Sequence, residues 1–217
     1  MGLPNQLIQF KSSDKEWHDK EPDMKDYANM PSPSFIVISG PTNCGKSSLC
    51  KNLIVHKNKP YTHNCVFSPL GEDSTEYSDC IDCEMITDVR DVNFDRNDRN
   101  LFIVEDCDIK SMNKEQRYII SNFFRFECSH NQVDCIVICQ NMFDNLPIVR
   151  RVCNICFVFP CHDIQYLHSL SKLFNIPLPD LKHIFKYIIT DKYDSLCIDE
   201  TRPSVRLRKN IFDAIKI

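Results

Sequence analysis

A short glycine-containing loop is the segment of this sequence best suited to chemistry. It matches the pattern G-x-x-x-x-G-K-[ST] at every fixed position and reads Gly40-Pro41-Thr42-Asn43-Cys44-Gly45-Lys46-Ser47. Glycines let the backbone curl so that successive N–H groups point at phosphate oxygens. A lysine in this position contacts the β- and γ-phosphates, and the hydroxyl that follows it binds Mg²⁺. We therefore predict that residues 40–48, Ser48 included, bind ATP and Mg²⁺, with Lys46 on the phosphates and Ser47 on the metal.

The segments on either side of the loop support this interpretation. Residues 35–38 form a short apolar run rich in β-branched side chains, which predicts a buried strand. Residues 46–56 predict a helix that turns Leu49, Leu53 and Ile54 inward. A phosphate loop belongs between a strand and a helix, because the helix N-terminus adds the positive end of its dipole.

Two acids follow a second buried run. Residues 101–104 predict a strand, and Glu105 and Asp106 stand at its carboxyl end, where open α/β sheets bind ligands. One acid can hold Mg²⁺ through water, and the other can orient or deprotonate the attacking water. We assign the metal to Glu105 and leave open how the two acids divide these roles. The alternative is two surface acids at a strand end.

A glutamine follows a third apolar run. Residues 135–139 read Cys-Ile-Val-Ile-Cys, and Gln140 comes next. If this strand lies between the loop strand and the Glu105 strand, Gln140 points at the γ-phosphate and can report its hydrolysis. Otherwise it is a polar residue in a turn.

Arginines occur in two places further along the chain. Arg150 and Arg151 lie on a short predicted helix before another core strand, which suits an arginine finger that reaches a neighbouring subunit's nucleotide. The alternative is a solvated basic turn. Arg206 and Arg208 would share one face of an extended strand, where they could contact DNA phosphates or a neighbouring nucleotide. A solvated strand explains them equally well.

The remaining pattern predicts an α/β fold. We expect further strands at residues 64–68, 84–89 and 155–159, and a strand pair at 195–198 and 204–207. Asn113 and Gln116 form a capping-box pattern before a helix that buries Ile119, Ile120 and Phe123. Two more helices are expected at about 163–174 and 178–189. Buried strands alternating with helices indicate a mostly parallel sheet covered on both faces.

Composition limits the class of protein. The chain has 217 residues, a formal net charge of −4 and thirteen cysteines, many of them inside apolar runs. No apolar stretch approaches the roughly 20 residues that span a bilayer, and no signal peptide is evident, so we expect an intracellular protein. Residues 1–33 predict a polar arm and residues 34–217 one domain. Zinc at Cys80, Cys83, Cys153 and Cys156 is disfavoured, because Cys156 falls in a core strand.

The order of these motifs resembles that of the packaging ATPases of large double-stranded DNA viruses. These belong to the poxvirus-type branch of the FtsK–HerA superfamily, with relatives in virophages and Maverick-type elements. The resemblance covers about residues 34–210 and rests on the loop, Leu-Phe-Ile-Val-Glu-Asp, Ile-Val-Ile-Cys-Gln and Pro-Ile-Val-Arg-Arg-Val-Cys-Asn. The Glu105–Asp106 order departs from the family, in which Asp usually precedes Glu.

The resemblance implies a RecA-like (ASCE) sheet in which the Gln140 strand separates the Ser39 and Glu105 strands. It implies a homo-oligomeric ring that pumps double-stranded DNA into a capsid at its portal vertex, in host cytoplasm, a viral factory or the virion. Arg150 or Arg151 would be the finger.

Two other functions fit parts of the sequence. A P-loop nucleoside or nucleotide kinase has a similar length, but residues 69–98 are acidic and make a poor arginine-rich lid. A non-motor NTPase switch needs the same loop and acids. It would hydrolyse ATP without any response to DNA.

Overall fold

A computed structural model describes residues 32–55, 60–68, 77, 80–105, 109, 112–201, 206–211 and 213–215. Of the predicted arm, only Ser32 and Pro33 fall within these ranges. Asp106, the second of the two predicted acids, lies outside these ranges.

A single mixed sheet organises the described chain. Its strands are β1 (Phe35–Ser39), β2 (His63–Phe67), β3 (Glu84–Ile86), β4 (Asn100–Glu105), β5 (Val133–Cys139), β6 (Ile155–Val158), β7 (Leu196–Asp199), β8 (Leu207–Lys209) and β9 (Asp213–Ala214). Their order across the sheet is β3-β2-β4-β5-β1-β6-β7-β8-β9. The first six strands in this order are parallel, and the last three are antiparallel additions.

Helices cover both faces of this sheet. They are α1 (Lys46–Val55), α2 (Lys114–Asn122), α3 (Pro147–Val152), α4 (Ile164–Phe174) and α5 (Leu178–Tyr187). A π-helical turn (Phe123–Glu127) and a short turn of helix (Cys128–His130) extend α2. The capping box is present: the Asn113 side chain accepts from Gln116 N at 2.9 Å, and the Asn113 N–H donates to the Gln116 side chain.

Strand alternation divides the core into two layers. In β4, Leu101 and Ile103 point to the layer that α1 covers, together with Leu49 and Leu53. Phe102 and other alternate strand residues point to the layer that α2, α3, α4 and α5 cover. The central strands β1, β4, β5 and β6 are buried on both faces, which is why their sequences are almost continuously apolar rather than alternating.

The predicted elements are confirmed, with shifts at their ends. β3 covers only Glu84–Ile86, because the Asp88 side chain caps a 3₁₀ turn that follows it. The C-terminal antiparallel pair is present, but its second strand is Leu207–Lys209, not residues 204–207. Ile119 is half-buried, not fully buried as predicted. In the part of the chain that is described, no helix is long and apolar enough to cross a membrane.

Candidate nucleotide site

The phosphate loop leaves β1 and enters α1, as predicted. Asn43 and Gly45 have φ values of 60° and 99°, which give the loop its tight curl. The Lys46 side chain is buried and lies back across the loop, where its Nζ donates to Gly40 O at 3.1 Å and Pro41 O at 2.9 Å. A cation held over the centre of this loop is placed to exchange carbonyl oxygens for phosphate oxygens.

Gly40 occupies a position without space for a side chain. A Cβ there would lie 2.6 Å from the Phe159 Cβ and 2.9 Å from the Cys44 Sγ. The first residue of the loop is therefore packed against the end of β6, which fixes the loop relative to the sheet.

We predict that Gly40→Ala destabilises the protein. Forced overpacking typically costs about 1–3 kcal/mol, which in a domain of this size lowers Tm by about 2–12 °C. Thermal unfolding measures the effect, with the exposed Ser48→Ala as the control that keeps the wild-type Tm. A Gly40→Ala variant with wild-type Tm would show that Phe159 can move aside easily.

Glu105 ends β4 on the same sheet face as α1. Leu101 and Ile103 point into the α1 layer, and the two-residue period brings Glu105 to that face as well. Ser47 lies in the first turn of α1 and is half-buried. A hydroxyl and a carboxylate are the hard oxygen donors that Mg²⁺ prefers, so these residues fit the metal we assigned to them.

A tyrosine that the sequence did not reveal contacts this carboxylate. Tyr77 is fully buried in the α1 layer, and its hydroxyl donates to Glu105 Oε1 at 3.1 Å. It lies 28 residues before its partner in the sequence. No periodicity or motif marks it, so only the fold could identify it.

Gln140 stands where the sequence placed it. β5 lies between β1 and β4, with Cys139 opposite Ser39 and Ile138 opposite Glu105. Gln140 follows at the carboxyl edge and is exposed. The phosphate loop, Glu105 and Gln140 therefore converge on one edge of the sheet.

A pair of hydroxyl groups links this edge of the sheet to helix α4. The hydroxyls of Ser39 and Tyr166 lie 2.8 Å apart, and Ser39 Oγ also donates to Gln140 O at 3.4 Å. Burial raises the pKa of the Tyr166 hydroxyl well above its ordinary value, so it remains protonated. Ser39 immediately precedes the loop, and α4 is therefore one hydrogen bond away from it.

The two arginines of α3 differ in their surroundings. Arg150 is half-buried: its Nη1 donates to Phe143 O at 3.2 Å and Asn145 O at 2.9 Å, and its guanidinium lies 5.5 Å from the Phe143 ring centroid. Arg151 is exposed on the same helix. Arg150 thus holds its own loop in place, and Arg151 is the one whose guanidinium projects outward.

The prediction that Arg208 contacts DNA or a neighbouring nucleotide is wrong. Its side chain is only 4% exposed, and its Nη2 is 2.8 Å from Asp199 Oδ2 in a buried ion pair between neighbouring strands. Arg206 precedes β8 rather than lying in it. It pairs with Glu200 (Nε to Oε1, 2.9 Å) and donates to the Phe174 carbonyl. The two guanidinium groups serve internal contacts on β7 and α4.

Cysteine acts mainly as a core residue. Nine of the twelve described cysteines are buried, Cys135, Cys139 and Cys156 among them. Burial raises the pKa of the Cys135 thiol well above its ordinary value, which suits a small apolar side chain better than a ligand. Across the described ranges, no three His, Cys, Asp or Glu side chains are grouped to hold a metal ion.

Comparison with solved structures identifies similar folds. The genome packaging NTPase B204 of Sulfolobus turreted icosahedral virus 2, in complex with AMPPCP, has a TM-score of 0.57 at 18% identity over 85% of this chain and 99% of that chain. The DNA-packaging ATPase B204 of Sulfolobus turreted icosahedral virus has 0.56 at 16%, over 86% and 100%. The pCW3 conjugation coupling protein TcpA with ATPγS has 0.52 at 12%, over 84% and 61%.

These similarities confirm the RecA-like P-loop fold that the sequence resemblance implied. At such low sequence identities, these similarities do not assign roles to individual residues. No protein-family model matches the chain, and no curated protein matches it.

Proposed function

We propose that this chain is an ATPase that translocates double-stranded DNA, and that it packages a viral genome as a homo-oligomeric ring. The observation that carries the proposal is the position of β5 between β1 and β4, which brings the loop, Glu105 and Gln140 to one edge. Support also comes from similar folds in a DNA-packaging ATPase and a conjugation coupling protein. The motor would work inside the infected cell or the virion, at a capsid portal.

ATP binds with its phosphates in the loop of residues 40–48. Lys46 exchanges its hydrogen bonds to Gly40 O and Pro41 O for oxygens of the β- and γ-phosphates. The N-terminus of α1 adds further positive potential. Mg²⁺, held by Ser47 and by Glu105 through water, would neutralise charge on the β- and γ-oxygens.

Hydrolysis requires a water in line with the γ-phosphorus. The water attacks that atom, the bond to the β–γ bridging oxygen breaks, and the proton passes to a carboxylate of the Glu105–Asp106 pair. Gln140, at the end of the intervening strand, contacts the γ-phosphate and senses its loss. Ser39 is hydrogen-bonded to both Gln140 O and Tyr166, so a shift of Gln140 on loss of the γ-phosphate is transmitted to α4.

We predict that Tyr77→Phe impairs metal use while the protein stays folded. Loss of a hydrogen bond to a charged group costs about 1.5–3 kcal/mol, so the Mg²⁺ concentration for half-maximal rate should rise about tenfold or more. ATP hydrolysis titrated with Mg²⁺ measures this. Tyr61→Phe is the matched control, because Tyr61 donates to the buried Asp134 at 2.8 Å, at the opposite end of β5. Equal Mg²⁺ dependence in both variants would assign Tyr77 a packing role only.

A strand-displacement assay tests the translocase function. A motor that tracks along duplex DNA strips a third strand from a triplex in an ATP-dependent reaction. We expect displacement with ATP and none with a non-hydrolysable analogue. ATP hydrolysis without displacement, at protein concentrations that saturate the DNA, would contradict translocation and favour an NTPase switch.

A further inference from the structure

Helix α5 carries a cationic face that none of the roles above uses. Lys182, His183, Lys186 and Tyr187 are all exposed, whereas Leu181, Ile184 and Phe185 on the other side of the helix are buried. At 100° per residue the four exposed side chains form one continuous strip, which we call the lysine face. The helix has one acid, Asp180, in its first turn, where the dipole favours a negative charge.

This positive charge is local. The chain as a whole has a net charge of −4, yet residues 164–190 contain three lysines, no arginine and a single acid. Lys182 and Lys186 stand four residues apart, and like charges at this spacing slightly destabilise a helix. Within the described part of the chain neither lysine forms a salt bridge.

An aromatic ring lies among these charges. Tyr187 is 61% exposed, its ring centroid is 4.9 Å from that of His183, and the Lys186 Nζ lies 5.0 Å from it. Lysine, histidine and a tyrosine hydroxyl are donors that contact the phosphates and sugars of nucleic acids. An anionic partner meets three donor types on one strip.

The helix pair is also connected to the nucleotide site. α4 packs beside α5, and Tyr166 of α4 is hydrogen-bonded to Ser39. Ser39 lies one residue before the phosphate loop. After α5 the chain re-enters the sheet at Leu196, which pairs with Val158 at the carboxyl end of β6. Both ends of the α4–α5 unit therefore return to the edge that carries the loop.

We propose that the lysine face of α5 is a DNA-binding surface on which Lys182 and Lys186 contact backbone phosphates. It replaces the excluded Arg208 as the DNA contact, and it rests on the proposed function, since it specifies where that function's polymer binds. Contacts to phosphates are independent of base sequence, as a packaging motor requires. The Ser39–Tyr166 hydrogen bond then couples the nucleotide state of the phosphate loop to α4, which packs beside the DNA-binding helix α5.

Salt-dependent DNA binding tests the proposal. The full chain, the double variant Lys182→Ala/Lys186→Ala and the control Lys114→Ala/Arg117→Ala are titrated onto a fluorescent 30-base-pair duplex of random sequence between 50 and 300 mM KCl. Both variants lose two exposed cations, the control pair on α2. We expect the lysine-face variant to lower the slope of log K against log salt by about 1.8, equivalent to about 60-fold weaker binding at 0.1 M. The control should keep the wild-type slope, and Lys182→Arg/Lys186→Arg should restore binding.

The outcomes separate this proposal from the proposed function. If the wild type binds DNA and the Lys182→Ala/Lys186→Ala variant binds it with the same slope, the lysine face is not the DNA site, and the translocase function stands. If the wild type hydrolyses ATP but does not bind the duplex at 50 mM KCl, both proposals fail. If, in that second case, the wild type binds polyglutamate and the Lys182→Ala/Lys186→Ala variant does not, the lysine face is assigned to an acidic protein partner. DNA-independent ATP hydrolysis should be equal in the wild type and the variant.

Discussion

Replacing Lys46 with alanine is expected to reduce ATP turnover by about 10² to 10⁴-fold, because two charge-assisted hydrogen bonds to phosphate oxygens are lost at about 1.5–3 kcal/mol each. The ammonium is already held over the loop by the Gly40 and Pro41 carbonyls, at 3.1 and 2.9 Å. It is therefore preorganised beside the position of the phosphates. Steady-state ATP hydrolysis measures the loss of turnover. Equilibrium binding of a fluorescent ATP analogue measures how much of that loss is a loss of nucleotide affinity.

Two comparisons make this result specific. Lys114→Ala removes an exposed lysine from the first turn of α2 and should leave turnover unchanged. Thermal unfolding of Lys46→Ala should show a folded protein, since the substitution opens no gap between strands. Wild-type turnover in Lys46→Ala would refute the role of Lys46 and of the loop in ATP hydrolysis.

Replacing Arg151 with alanine is expected to leave ATP binding intact and lower turnover by about 10³ to 10⁵-fold, as for other fingers that stabilise charge on the γ-phosphate. Arg151 is exposed on α3, whereas Arg150 is bonded to Phe143 O and Asn145 O. Arg150→Ala should instead lower stability by about 1–3 kcal/mol, because two carbonyls lose their donor. The double variant combines both losses.

Subunit mixing shows whether Arg151 acts on a neighbour. A Lys46→Ala chain keeps its arginine, and an Arg151→Ala chain keeps its phosphate loop. If the arginine acts in trans, mixing the two inactive variants restores part of the activity, because some interfaces join a complete loop to an intact Arg151. Wild-type turnover by Arg151→Ala alone would exclude the finger. Mixtures as inactive as their components would show that any role is confined to one chain.

The sequence predicts the parts of this fold that depend on local pattern. Continuously apolar runs such as residues 101–104 identify buried parallel strands, because both faces of such strands are covered. Asn113 and Gln116 identify the start of α2, because a capping box satisfies N–H groups within one turn of chain. The phosphate loop is recognisable for the same reason: its conformation depends on residues within eight positions.

Contacts between distant segments explain what the sequence could not show. Arg208 looks like an exposed strand residue until the antiparallel pairing of β7 with β8 places it opposite Cys197, with its Nη2 2.8 Å from Asp199 Oδ2. Tyr77 contacts Glu105 because the fold places both side chains on the α1 side of the sheet, although they are 28 residues apart in the sequence. The difference between Arg150 and Arg151 likewise depends on where the loop that contains Phe143 folds back.

The lysine face illustrates an intermediate case. The spacing of Lys182 and Lys186 is visible in the sequence, but the same spacing occurs on solvated helices. Its interpretation as a DNA contact also depends on two facts of the fold: Arg206 and Arg208 form internal ion pairs, and Tyr166 of α4 is hydrogen-bonded to Ser39.

Steady-state ATP hydrolysis with and without double-stranded DNA, across a range of protein concentrations, tests the central claim most directly. A motor whose site is shared between subunits should show a rate per protomer that rises with protein concentration and rises again with DNA, with the DNA effect weakening as salt increases. A rate that is flat in both would mean that one chain holds a complete site without any response to DNA. That result would contradict the translocase and favour a kinase or an NTPase switch.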